Sequence, residues 1–319
     1  MKEIKITWVG CHSEGELAFR SLLEKGHKVT NFITLNDESF SKRSGASRGY
    51  IELCQRYGIN VSLISTIKDE ESYQIIKAAE PDVLVVLGWS EILPERLLDI
   101  PTIGTVGAHA AMLPHNRGSA PINWALIKDE KTCGNSFMWL SRNVDAGKII
   151  DQIPFEITDY DTCKTLYDKV AETNEKMLLR LIDRLSAGLP TVMEKENVTD
   201  EEILPRRRPK DGLIDWNTDA RAVYNFIRAL TRPYPGAFTY LNGTKYLLWS
   251  AALLPTAAKV GDAGEILGSV YSPIDDACGI QIVCGTGSVI VHEMEDESGN
   301  IYKGRELSSL KLKGRFTNE

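Results

Sequence analysis

The stretch "GTVGAHAAMLPHNRGSAPINWALIKDE", residues 104–130, decides how this chain is read. A small-residue and β-branched run ends in a histidine, His109. A Leu-Pro pair and an Arg-Gly turn follow, and the sequence then turns helical. Strand, loop and helix in that order put His109 at the carboxyl end of a strand, which is where open α/β sheets bind ligands. Gly107, two residues earlier, shares a strand face with His109.

The flanking sequence extends this pattern. Upstream, "IKITWVG", "KVTNFITL" and "NVSLIS" read as strands, and "DVLVVLGW" is a near-continuous apolar run of the kind buried on both faces of a parallel sheet. Between them, "EGELAFRSLLEKG" closes on Gly26 like an amphipathic helix, and "DEESYQIIKAAE" opens with acids that suit a helix N-terminus. Downstream, "NSFMWLSRN" is a further strand, and Leu166, Val170, Met177, Leu181 and Leu185 keep one apolar stripe on a helix between Tyr160 and Gly188. The βαβ rhythm predicts a doubly wound, mostly parallel open sheet.

A polar segment, "PTVMEKENVTDEEILPRRRPKDG", breaks that rhythm and reads as a linker. Beyond it, one helix precedes aromatic-rich strands around Asn242-Gly243, a strong type I′ hairpin signal, and a second hairpin is expected around Gly285–Gly287. These short strands predict a small antiparallel barrel. The expected divisions are 1–190, a linker at 191–210, and 211–319.

The 319 residues carry 37 basic and 44 acidic side chains, a net charge of −7. Residues 206–319 hold 14 basic and 13 acidic groups, leaving −8 on the first 205. Neither part has the positive field of a nucleic-acid binder. The run "RRRPK" at 206–210 is the one basic cluster and reads first as solvated linker, second as a phosphate site. No window approaches a membrane span, and the N-terminus has no signal-peptide core. The cysteines at 11, 54, 133, 163, 278 and 284 show no metal-ligand spacing and read as reduced thiols of a cytoplasmic protein, so neither a disulfide framework nor a metal is expected.

A second group belongs beside His109. Asp145 follows the strand "NSFMWLSRNV" and precedes an Ala-Gly turn, so two strand-end loops can bring an imidazole and a carboxylate into one crevice. Taken singly, such a histidine is more often a structural residue than a catalytic one, and such an aspartate more often a turn former than an acid.

Together, the order Gly-x-His-x-x-Met-Leu-Pro-x-x-Arg-Gly-x-Ala-Pro-Ile with the later Asp-Ala-Gly resembles the formyltransferases that use N10-formyltetrahydrofolate. "GWSEILPERLL" is similar to that family's folate-side loop, and "DYDTCKTLYDKV" to its segment after the catalytic aspartate. "RRPKDGLIDWNTDARAVYNFIRALTRPYPGAFTY" resembles the module that follows the catalytic domain in methionyl-tRNA and amino-sugar formyltransferases. The likeness runs from about residue 80 to residue 250. It implies a Rossmann-like catalytic domain, an OB-like C-terminal domain, and tetrahydrofolate as product.

The resemblance also implies roles. An acceptor amine attacks the formyl carbon, His109 transfers the proton or contacts the oxyanion, and Asp145 orients His109. Gly88, Trp89, Ser90, Ile92, Leu93 and Pro94, with Leu140, Arg142 and Asn143, are the expected folate contacts. His12, Ser13, Lys42, Met112, Arg117, Gly118, Ala120 and Pro121 are the expected acceptor contacts. His12 and Ser13 stand where a helix N-terminus can hold a phosphate, with Ser13 as a plain helix cap the alternative. Lys42, Arg43 and Arg48 lie in a loop that either closes over a diphosphate or is solvated, and Arg117 serves structure or substrate equally well.

One position departs from the family pattern, which has Asn-x-His where this chain has Gly107-x-His109. Three accounts are open. The substrate approaches the Gly107 main chain, a nearby amide (Asn116 or Asn123) stands in, or the chain binds without turnover. The charge favours a nucleotide-linked amino sugar as acceptor over a tRNA, whose phosphates demand many cations. The oligomeric state, a homodimer included, is left open.

Overall fold

The computed structural model describes residues 3–43, 45–254 and 261–319. The chain divides into two compact units. The first comprises residues 1–121, 132–156 and 166–205, the second residues 122–131, 157–165 and 206–319.

The first unit is built on a seven-stranded sheet. In chain order its elements are β1 (Ile6–Val9), α1 (Glu16–Glu24), β2 (Val29–Leu35), α2 (Asp37–Ser41), α3 (Gly49–Tyr57), β3 (Asn60–Ile64), α4 (Glu70–Ala78), β4 (Val83–Val86), α5 (Glu95–Leu98) and β5 (Gly104–His109). After α6 (Pro121–Ile127) come β6 (Thr132–Trp139), β7 (Ile149–Glu156) and α7 (Cys163–Ser186). The sheet order is β3-β2-β1-β4-β5-β6-β7. The first five strands are parallel, and β1 to β4 is the point where strand order reverses. The apolar reading of β4 is borne out, since Val83, Leu84 and Val85 are fully buried. Asp69 caps α4 by accepting the Ser72 amide at 2.8 Å.

β6 runs antiparallel to β5 and β7 within the expected mostly parallel sheet, with His109 opposite Ser136. One expectation needs correction. Residues 191–205, read as linker, are laid along the first unit instead. Lys195 bridges Ile149, and Leu204 bridges Gly118 and is buried. Their polar composition hid this because the contacts are main-chain bridges and a few scattered side chains such as Asn197 and Leu204, with no apolar periodicity.

The second unit contains α8 (Ala220–Leu230) and an antiparallel sheet of β8 (Ala237–Leu241), β9 (Thr244–Leu253), β10 (Ile266–Val270), β11 (Gly279–Val283), β12 (Ser288–Asp296) and β13 (Ile301–Lys303), with α9 (Gly304–Ser309). The order is β10-β11-β12-β9-β8, with β13 on β12. The C-terminal tail joins the outer strands: Thr317 bridges Tyr240 of β8, and Arg315 bridges Glu265 beside β10. Phe316 between them is 1% exposed and stacks on Trp216. Asn242 and Gly243 hold φ of 53° and 77°, the two left-handed residues of the expected hairpin turn. The basic run is not wholly solvated. Arg207 lies over the rings of Trp124 and Phe226, and burial lowers its pKa.

Candidate active site

β5 delivers His109 to the sheet edge almost buried, at 7% exposure. Its Nε2 lies 2.8 Å from the carbonyl of Asn116, which can only accept, so Nε2 carries a proton there. Its Nδ1 faces Asp145 Oδ2 at 3.5 Å. That is an ion-pair distance, and such pairs tighten when substrate binds. The expected imidazole–carboxylate pair is therefore assembled.

Asp145 owes its place to contacts far along the chain. Its Oδ2 accepts the amide of Gly118 at 3.0 Å. Asn197 donates to the carbonyls of Asp145 (2.7 Å) and Gly147 (3.1 Å), and Arg117 donates to Val144 at 2.8 Å. Arg117 thus holds the loop of the carboxylate. Gly118 sits at φ 111°, and a Cβ there would meet the Leu204 carbonyl at 2.5 Å. Asn197 gave no sequence signal, being one amide in an apparently structureless polar segment.

Gly107 is not open to a substrate. β5 is an inner strand, with Gly107 paired to Val86 of β4 and Met138 of β6, so ladder bonds flank its backbone. A Cβ on Gly107 would lie 2.6 Å from Leu140 Cδ2. Leu140 fills the space a larger residue would need, which removes the first account of this position. The amide nitrogen of Asn123 is committed, donating to the carbonyl of Ala229.

The expected donor-side residues gather in two loops. Gly88, at φ 67°, accepts the amides of Cys11 (2.8 Å) and His12 (2.9 Å). Trp89, Leu93 and Leu140 pack against the core formed by Val9, Leu84 and Val86, and Trp89 Nε1 is buried without a partner. Ser90 and Ile92 are exposed, and Pro94 precedes α5. Arg142 pairs with Glu95 across these loops, with Asn143 exposed beside it.

On the acceptor side, His12 bridges Ala46, and its Nε2 is buried without a partner. Gly15 occupies the cap of α1, so Ser13 does not cap it. Met112 lies against Gly134, and the Leu113 amide donates to Ser136 at 3.1 Å, holding that loop on β6. Ala120 adopts φ 55° directly before Pro121, the first residue of α6. The loop cations are committed to carboxylates: Lys42 to Glu38, Arg43 to Glu91, and Arg48 to Asp37.

Cys11, beside this crevice, has its thiol pushed up to about 12 by burial, as do Cys54, Cys163 and Cys284, so these are not nucleophiles. No group of three or more metal-ligating side chains occurs among the described residues. None of their helices is long and apolar enough to cross a membrane. A cavity of about 400 Å³ lies apart in the second unit, lined by Tyr160, Tyr224, Arg228 and Trp249.

The histidine–carboxylate pair formed by the end of β5 and the β6–β7 loop is an arrangement suited to proton transfer. Residues 20–182 match the formyl transferase family and residues 207–310 the formyl transferase C-terminal domain, so the chain belongs to the formyltransferase family and is a folate-dependent N-formyltransferase. It is 30% identical to methionyl-tRNA formyltransferase of Citrifermentans bemidjiense over 99% of this chain and 98% of that protein. Among solved structures, the N-formyltransferase of Helicobacter canadensis, in complex with folinic acid and dTDP-3-aminofucose, shares the fold at a TM-score of 0.63 and 18% identity, over 90% of this chain and 98% of that one. HypX of Aquifex aeolicus with tetrahydrofolic acid does so at 0.64 and 17%, over 95% of this chain and 46% of that one.

Proposed function

We propose that the enzyme moves the formyl group of N10-formyltetrahydrofolate onto the amine of a nucleotide-linked amino sugar, using His109 and Asp145. The amine nitrogen attacks the formyl carbon, and the carbonyl electrons move onto oxygen. As the carbon–N10 bond breaks, N10 takes a proton and the acceptor nitrogen loses one; His109, exchanging its contact with the Asn116 carbonyl, is the group that passes the proton between them. Asp145 holds the ring in register and balances its charge. Loop 88–94 with Leu140, Arg142 and Asn143 faces the folate. His12, Ser13, Lys42, Met112, Arg117, Gly118, Ala120 and Pro121 line or support the acceptor side. Residues 1–190 carry the chemistry, and 211–319 form the accessory barrel.

The observation that carries the sugar reading is the pairing of Lys42, Arg43 and Arg48 with carboxylates on a chain of net charge −7. A tRNA acceptor needs cations free to neutralise phosphates. A nucleotide sugar needs few, and the exposed Lys42–Glu38 pair can exchange for a diphosphate at little cost. The second reading, a methionyl-tRNA acceptor, is favoured by the name of the full-length relative at 30% identity. Tetrahydrofolate release is to be followed with dTDP-3-aminofucose, other nucleotide amino sugars and charged initiator tRNA in parallel. Turnover with an amino sugar alone is expected. Turnover with tRNA alone overturns the sugar reading, and folate binding without turnover on any acceptor leaves a binding protein.

A further inference from the structure

Resting on the reading of loop 88–94 as the donor loop, we infer that Glu91 is the positioning residue that sets this loop, and that Arg43 of the opposite loop works through it. Glu91 lies between the expected folate contacts Ser90 and Ile92, and its carboxylate is taken up by Arg43, Thr66 and Ile67. Its side chain is 13% exposed and both carboxylate oxygens are filled. Oε1 accepts from Arg43 at 2.8 Å, while Oε2 accepts the Thr66 hydroxyl and the Ile67 amide, each at 2.9 Å. Ile67 is fully buried in the core beneath Trp89 and Leu93, so this anchor point is rigid.

The loop is thus fixed at two points. Gly88 is held by the amides of Cys11 and His12, and Glu91 by Arg43, Thr66 and Ile67. Trp89 and Ser90 form an arch of set span between them. Arg43 is itself fastened to the other side. Its segment joins the β1–α1 loop through the His12–Ala46 bridge, Ser13 N to Gly45 O (3.2 Å) and Ser47 N to Cys11 O (2.8 Å). A charged pair with several hydrogen bonds and little solvent holds geometry far better than an exposed pair. Holding a binding loop to within a fraction of an ångström is what gives such a contact leverage over affinity.

The test is calorimetric titration of the full-length protein with 5-formyltetrahydrofolate, alongside thermal unfolding. Glu91→Gln keeps an oxygen for Thr66 and Ile67 but turns an amide toward Arg43, and Arg43→Met removes the same arm from the other side. Each is expected to weaken binding about tenfold, with the double variant no weaker than either single one, because both remove one coupling. Arg43→Lys is expected to recover most of the affinity, and the unfolding midpoint is expected to change little in all four. Parental affinity in Glu91→Gln and Arg43→Met, or losses that add in the double variant, overturns the inference while leaving the donor-loop reading intact. If the parent protein itself fails to bind 5-formyltetrahydrofolate, both fall together.

Discussion

Both units contain non-glycine residues in the left-handed region, but they use them differently. In the second unit Asp129 follows α6, Lys311 follows α9, and Asn242 sits at a hairpin tip. These are helix ends and turns that ask for such a residue. In the first unit Glu80 does the same after α4, while Asn116, Ala120 (just before α6) and Asp145 (in the β6–β7 loop) fall in the segments around His109. Alanine at φ 55° has no side-chain hydrogen bond to offset the cost, about 1–2 kcal/mol. Asn116 and Asp145 are residue types that visit this region, so the separation rests on Ala120, whose backbone is held against its preference by surrounding contacts, the pattern of functional sites.

If that separation is right, cuts around His109 should cost turnover, and cuts in the barrel should cost stability. His109→Ala is expected to lower kcat by about two to four orders of magnitude with 5-formyltetrahydrofolate binding kept, as steady-state kinetics and titration would show. Phe316→Ala, which removes the side chain joining the barrel's outer strands, is expected to cost about 3–5 kcal/mol in chemical denaturation while turnover per folded molecule stays near the parent's. A large loss of turnover there would blur the division between the units. Asn197→Ala should do some of each, costing about 1–3 kcal/mol and lowering kcat about tenfold or more as the Asp145 loop loosens. Ala120→Gly is the smallest change. It should raise stability by up to about 1 kcal/mol, and a loss instead would show that Ala120 is not strained.

The amino-acid sequence by itself determined the sheet, the hairpins and the histidine and aspartate that meet in the candidate site. Their signals are local: apolar runs such as Val83–Val86, the Asn242-Gly243 turn, and a histidine and an aspartate each at a strand end. It was silent or misleading where contacts are long-range and carried by the main chain. Nothing in the polar stretch 191–205 announces that Leu204 pairs with Gly118 or that Asn197 carries the Asp145 loop. Likewise, strand polarity cannot be read from composition, and only the fold shows which strand, β6, runs against β5. The fate of Gly107 was decided by Leu140, a neighbour on the adjacent strand's end, and that of Arg43 by Glu91. Periodicity fixes which face of an element is buried, but only the folded chain determines which polar groups meet, because hydrogen bonds are directional and short-ranged while burial is neither.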